Sequence, residues 1–153
     1  MELTPTTVAD RLQEVGPVKL SAKAEYACLA VIALAHRHEG GRPVPIREIA
    51  EAHEIPETFL TQILIRLKGA GLVVSTRGSS GGYRLARDPM TISMGDVLRV
   101  IDGEGFQERP QRRSSFNALA ELWERIQASQ VNILDGTTVA NLAALDRSPD
   151  WTI

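Results

Sequence analysis

The chain has 153 residues, one cysteine and a formal net charge of −2. At that length it makes one compact domain, or a small domain with a helical appendage, and it can bury a core without metal or disulfide. A single cysteine excludes an intramolecular disulfide, and the longest apolar run, Ala27 to Ala35, is nine residues against the roughly 20 that cross a bilayer, which excludes a helical membrane span.

Together with the lack of a secretory leader, the lone thiol points to a reducing cytoplasm. The small net charge conceals segregation. Residues 1–41 carry four basic and five acidic side chains, residues 42–87 seven and four, and residues 88–153 six and ten, so only the middle of the chain is positive.

Residues 1–18 are rich in Thr and Pro around "TVADRLQEV", where Val8, Leu12 and Val15 recur at helical spacing; this piece is either a packed extra helix or a frayed arm. From Ser21 a helix is predicted. Ser21 caps it, Glu25 lies in its first turn, and Ala24, Cys28, Val31, Ile32 and Ala35 form one apolar face before "HEGGRP" ends it. Two short amphipathic segments follow, the first on Ile46, Ile49 and Ala50 and the second on Phe59, Leu60, Ile63, Leu64 and Leu67. The "HEIPE" between them is too short for anything but a tight turn, with Pro56 at or just before the first position of the second helix, where a missing N–H is harmless. This is a helix-turn-helix pattern. Gly69 and Gly71 stop the second helix, and "LVVSTRGSSGGYRLA" reads as a hairpin with a polar, glycine-rich tip.

Ser93 can cap a fourth helix that turns Met94, Val97, Leu98 and Ile101 inward. Residues 103–113 mix charges with Gly and Pro without a hydrophobic period and are expected to form a loop or linker. A helix of about twenty residues then carries Phe116, Leu119, Leu122, Trp123, Ile126, Val131 and Leu134 on or near one side. That stripe either folds back on its own domain or meets a second copy. Trp and Leu at helical spacing favour the second, which places Phe116, Leu119, Leu122, Trp123 and Ile126 at a two-fold interface. "TTVANLAALD" closes the chain's pattern as a last amphipathic turn or two, capped by Thr137 or Thr138.

The expected fold is mainly α with a small two-stranded β wing: a winged helix-turn-helix followed by a long C-terminal dimerisation helix. The expected divisions are an extension at 1–18, a DNA-binding domain at 19–90, a linking helix and sensor-type loop at 91–113, and the dimerisation helix with a C-terminal segment at 114–153. In such a fold the second helix of the pair enters a major groove, about 12 Å wide, while the hairpin tip reaches the adjacent backbone or minor groove. Off its apolar stripe that helix carries Glu57, Thr58, Thr61, Gln62, Arg66 and Lys68. Gln62 can read adenine, Thr61 a thymine methyl or base edge, and Thr58 or Arg66 can hold phosphate. Arg77 fits either a narrow minor groove or a phosphate, and the backbone N–H groups of Gly78 to Gly82 can donate to phosphate oxygens.

The stretches "LSAKAEYACLAVIALA", "IREIAEAHEIPETFLTQILIRLKGAGLVVSTRGSSGGYRLA" and "ISMGDVLRVIDG" resemble the Rrf2 family of bacterial winged-helix regulators, over about residues 19–146. The pairing of "EYA" in the first helix with "RG" and "GGY" in the wing is the specific part. The resemblance implies a transcriptional regulator, expected to repress, that binds a partly palindromic promoter site in double-stranded DNA as a homodimer. It carries DNA contacts onto Thr58, Phe59, Thr61, Gln62, Arg66, Arg77 and Gly78, and Ser21, Lys23, Ser79, Ser80 and Tyr83 complete the expected set. Tyrosine is common in the family where Phe59 stands here, so a hydroxyl contact is lost.

Many members hold an iron-sulfur cluster on three cysteines in the loop before the long helix; here that loop, "GEGFQERPQRRSS", has none, so no cofactor or metal is expected. Glu25 stands where some relatives supply a carboxylate ligand and is expected instead in a structural ion pair. Cys28 reads as a small core residue, and His36, His38 and His53 as surface residues near helix ends without metal-ligand spacing. Relatives generally begin near Val18 or Lys19, so a natural start at Val18 is expected, with residues 1–17 contributed by upstream sequence. No nucleophile with a base, P-loop or dinucleotide motif is present, which argues against an enzyme. Two questions stay open: whether a small molecule or a protein serves as effector, and whether the module binds another protein instead of DNA.

Overall fold

The computed structural model describes residues 21–103 and 117–146. The readings made on the N-terminal extension, on the loop at 104–116 with Phe116, and on residues 147–153 lie outside these.

Helix α1 (Ala22–His36) starts where the sequence placed it, with the Ser21 hydroxyl accepting from the Ala24 N–H at 3.1 Å and Glu25 in the first turn. Its inward face differs from the expected line. Ala24, Ala27, Ala30, Val31, Leu34 and Ala35 are buried, whereas Cys28 and Ile32 are only half-buried. The reason is that α1 is central, packed against helices and the hairpin on several sides, so more than one stripe is covered and its alanines allow close approach.

Helices α2 (Ile46–His53) and α3 (Glu57–Gly69) form the helix-turn-helix. Glu54 takes the left-handed conformation (φ 52°, ψ 40°) and the Ile55 N–H donates to the Ala50 carbonyl at 3.0 Å, a cap that drives Ile55 into the core at 3 % exposure. Pro56 then serves as N-cap of α3, its carbonyl accepting from Leu60 at 3.0 Å. A cap of the same design ends α3, where Leu72 N–H reaches the Leu67 carbonyl and Leu72 is buried.

Strands β1 (Val73–Thr76) and β2 (Gly82–Leu85) pair antiparallel, with Val73 opposite Leu85 and Thr76 opposite Gly82. Val44 adds a one-residue bridge to Tyr83, exchanging both backbone hydrogen bonds at 2.7 and 2.9 Å. Gly82 sits at φ 156°, and a Cβ there would collide with the Val44 carbonyl, so only glycine lets that backbone pass.

After a 3₁₀ turn (Pro89–Thr91), helix α4 (Met94–Asp102) opens with a capping box in which Ser93 and Asp96 satisfy each other's backbone N–H at 3.0 Å. Met94, Val97, Leu98 and Ile101 are buried, as expected. Helix α5 (Asn117–Asp135) is 19 residues long, and α6 (Val139–Asp146) is capped by Thr138, whose hydroxyl accepts from Asn141 N–H at 3.0 Å. The C-terminal segment returns to the head: α6 packs on α1 and the 3₁₀ turn, Val139 is fully buried, and His36 Nε2 lies 3.1 Å from the Ala143 carbonyl and 3.6 Å from Asp146.

Candidate nucleic-acid interface

The reading surface is built on α3 and the hairpin, and two polar ties hold α3 to the hairpin and to α4, while a third joins α1 to α4. Lys68 Nζ, in the last turn of α3, donates to Ser75 Oγ on β1 at 2.7 Å, which sets the wing relative to the helix. Arg66 Nη1 donates to the Ile101 carbonyl at the end of α4 at 2.9 Å. Ser21 Oγ, besides capping α1, donates to Asp102 at 2.9 Å.

Thr58, Phe59 and Gln62 are exposed on α3. Phe59 corrects the expected apolar stripe: it is 45 % exposed and stands outside the Leu60, Ile63, Leu64 and Leu67 face that enters the core. Thr61 is half-buried, its hydroxyl turned back on the Glu57 carbonyl at 2.9 Å, so it offers a methyl more readily than a donor. Ile65, 58 % exposed one turn beyond Gln62 and Thr61, is a surface apolar residue that neither face of the sequence pattern indicated.

At the wing tip Gly78–Gly81 close a turn through the Gly81 N–H and the Gly78 carbonyl at 2.9 Å, leaving Arg77, Gly78, Ser79 and Ser80 exposed. Tyr83 is not part of the tip. It is half-buried against the core and held by Val44. Arg84 and Arg87 are exposed on and just after β2, and with Arg77 they make no ion pair among the described residues. Only the segmental charge count hinted at these two. Lys23 is exposed in the first turn of α1.

Glu25 is exposed and makes no ion pair among the described residues, which corrects its expected role. The nearby Cys28 thiol is pushed up to about 11 by burial, with Asp102 and Glu25 adding to the effect. A thiol with so little thiolate at neutral pH is a poor nucleophile, so alkylation at pH 7.5 is expected to run at least roughly a hundredfold slower than for an unhindered cysteine. Timed alkylation of the native protein with iodoacetamide checks this; labelling at the free-thiol rate contradicts it.

Away from the reading surface, α5 buries none of its side chains, and Leu119 (43 %), Leu122 (48 %) and Trp123 (42 %) lie open near its start. Ile126 is half-buried one turn on. No helix among the described residues is long and apolar enough to cross a membrane.

An exposed polar helix behind a tight turn, tied to an arginine-tipped hairpin of fixed spacing, defines a DNA-binding winged helix-turn-helix. A family model described as "Rrf2: Iron-dependent Transcriptional regulator" matches residues 20–145, and the chain belongs to that family: it is a transcriptional regulator and not an enzyme. It is 37 % identical over 133 residues to the HTH-type transcriptional regulator CymR of Bacillus subtilis, covering 83 % of this chain and 91 % of that one. The solved structure of that protein, called there the global cysteine regulator, superposes with a TM-score of 0.77 at 36 % identity over 84 % of this chain and 98 % of the other. T. potens IscR gives 0.72 at 34 % identity, over 89 % and 92 %.

Among the described residues the iron in the family's description meets no fitting donor set. Clusters are held by thiolates, the chain's one cysteine is a half-buried thiol that resists ionisation, and the described residues contain no group of three His, Cys, Asp or Glu able to hold a metal.

Proposed function

We propose that the protein is a cytoplasmic homodimer that binds a partly palindromic promoter site and represses by occupying it. The observation that carries this is α5: a 19-residue helix whose apolar side chains Leu119, Leu122 and Trp123 are open, attached to a complete reading head. A second copy laid across that stripe buries it and presents two α3 helices and two wings on one face of a duplex. Repression by occupancy asks for no surface beyond those. Thr58 and Gln62 face the groove from α3, Phe59 lends apolar contact beside them, Arg66 holds α3 in place through Ile101, and Arg77 with Gly78, Ser79 and Ser80 follows the backbone or minor groove.

Selection of bound fragments from the native genome tests the reading, with paired, inverted half-sites as the expected result and fragments without two-fold symmetry as the contrary one. Against a selected site, Gln62→Ala is expected to reduce discrimination by roughly 1 to 3 kcal/mol at one base pair per half-site while leaving nonspecific binding in place. Competition between the selected duplex and single-substitution duplexes measures it.

A further inference from the structure

Among the described residues, the long helix packs on the head through its last turn. The base of α5 packs on α4: Leu134 leans on the core, Asp135 Oδ2 accepts from Arg99 Nη2 at 2.7 Å, and Arg99 Nη1 also faces Asp96 at 3.8 Å. A Cβ on Gly95 would meet the Asp135 carboxylate and the Arg99 guanidinium, so glycine at 95 leaves the pair the room it occupies, and a larger residue would turn those side-chain ends aside. Immediately beyond, the chain is stitched to the segment before α4, with Met94 N–H donating to the Thr137 carbonyl at 2.8 Å and Val139 N–H to the Ile92 carbonyl at 2.9 Å. The guanidinium also holds the Asp135 carboxyl below the usual carboxylate range.

A lever held at its base turns small angles into large displacements. Nineteen residues of helix are about 28 Å long, so a tilt of about 10° at the base moves the far end by roughly 5 Å, more than the ~3.4 Å rise of one base pair.

We propose that Gly95, Arg99 and Asp135 form an angular clamp that sets the direction of α5 from the head and thereby the separation of half-sites the dimer accepts. These are positioning residues, not DNA contacts, and the assignment rests on the homodimer reading above. The pair is too exposed for its loss to unfold the head, since ion pairs of this kind contribute little to stability.

The test is site selection by the full-length protein from a randomised duplex library, reading the distribution of half-site separations. The wild type is expected to show one dominant separation. Asp135→Asn, Arg99→Gln and Gly95→Ala are each expected to spread or shift it by about one to two base pairs, with affinity for a duplex carrying a single half-site within about twofold of wild type. Exchange of the pair, Arg99→Asp with Asp135→Arg, is expected to narrow the distribution again. Variants that remain dimeric and keep the wild-type separation and width overturn the clamp and leave the dimer reading standing. A wild type that selects only unpaired half-sites overturns both.

Discussion

Trp123→Glu is expected to dissociate the proposed homodimer while the reading head stays folded. Trp123 lies one turn beyond Leu119 and next to Leu122 on one side of α5 and is not among the side chains packed against the head's core; α5 contributes no fully buried residue. Truncating a buried aromatic anchor at an interface typically costs 2 to 4 kcal/mol, and a carboxylate adds an unpaired charge. Because a two-fold contact counts each change twice, the dimer constant should weaken by about three orders of magnitude or more. Binding to a paired site then loses the linkage between half-sites, a factor on the order of a hundred or more. Sedimentation at micromolar concentration reads the first effect and titration of a paired duplex the second; a variant that stays dimeric shows that Trp123 is not at the interface.

Arg77→Ala acts on the other half of the account. Arg77 is exposed where the strand ends and the glycine turn begins, with no ion-pair partner among the described residues, so its charge is available to phosphate or to a narrow minor groove. A phosphate contact releases about one counterion, so the variant should lower the slope of log K against log salt by about one per reading head and weaken all duplexes alike, by roughly tenfold at low salt. Affinity measured across a salt series decides this. An unchanged slope with unchanged base preference removes the wing from the interface, whereas an unchanged slope with altered base preference at A/T steps assigns Arg77 to readout of groove width.

The parts of the fold legible in the sequence are those that local chemistry decides. Ser21, Pro56 and Ser93 stand where caps must stand, and Met94, Val97, Leu98 and Ile101 of α4 repeat at a helix's period and are buried. Periodicity failed where burial is not one-sided. α1 is enclosed on several sides, so Ala27, Ala30 and Leu34 are as buried as the stripe that was expected, and Cys28 is less so. Hydrophobicity failed at Phe59 and Ile55 for opposite reasons: an aromatic left open on the reading helix, and an apolar side chain pulled inward by the cap of a turn. Long-range pairings leave no local trace. Arg66 with Ile101, Arg99 with Asp135 and Val44 with Tyr83 join residues 35, 36 and 39 positions apart, and of the candidate site they decide which side chains are structural, removing Tyr83 from the tip and giving Arg66 a partner inside the protein.

The mass of the complex with one selected promoter duplex, measured by analytical ultracentrifugation, tests most directly whether two heads act together. Two chains per duplex, bound cooperatively and dissociated by salt, are the expected result. One chain per duplex at saturation, or no salt-sensitive complex with any fragment of the native genome, contradicts it.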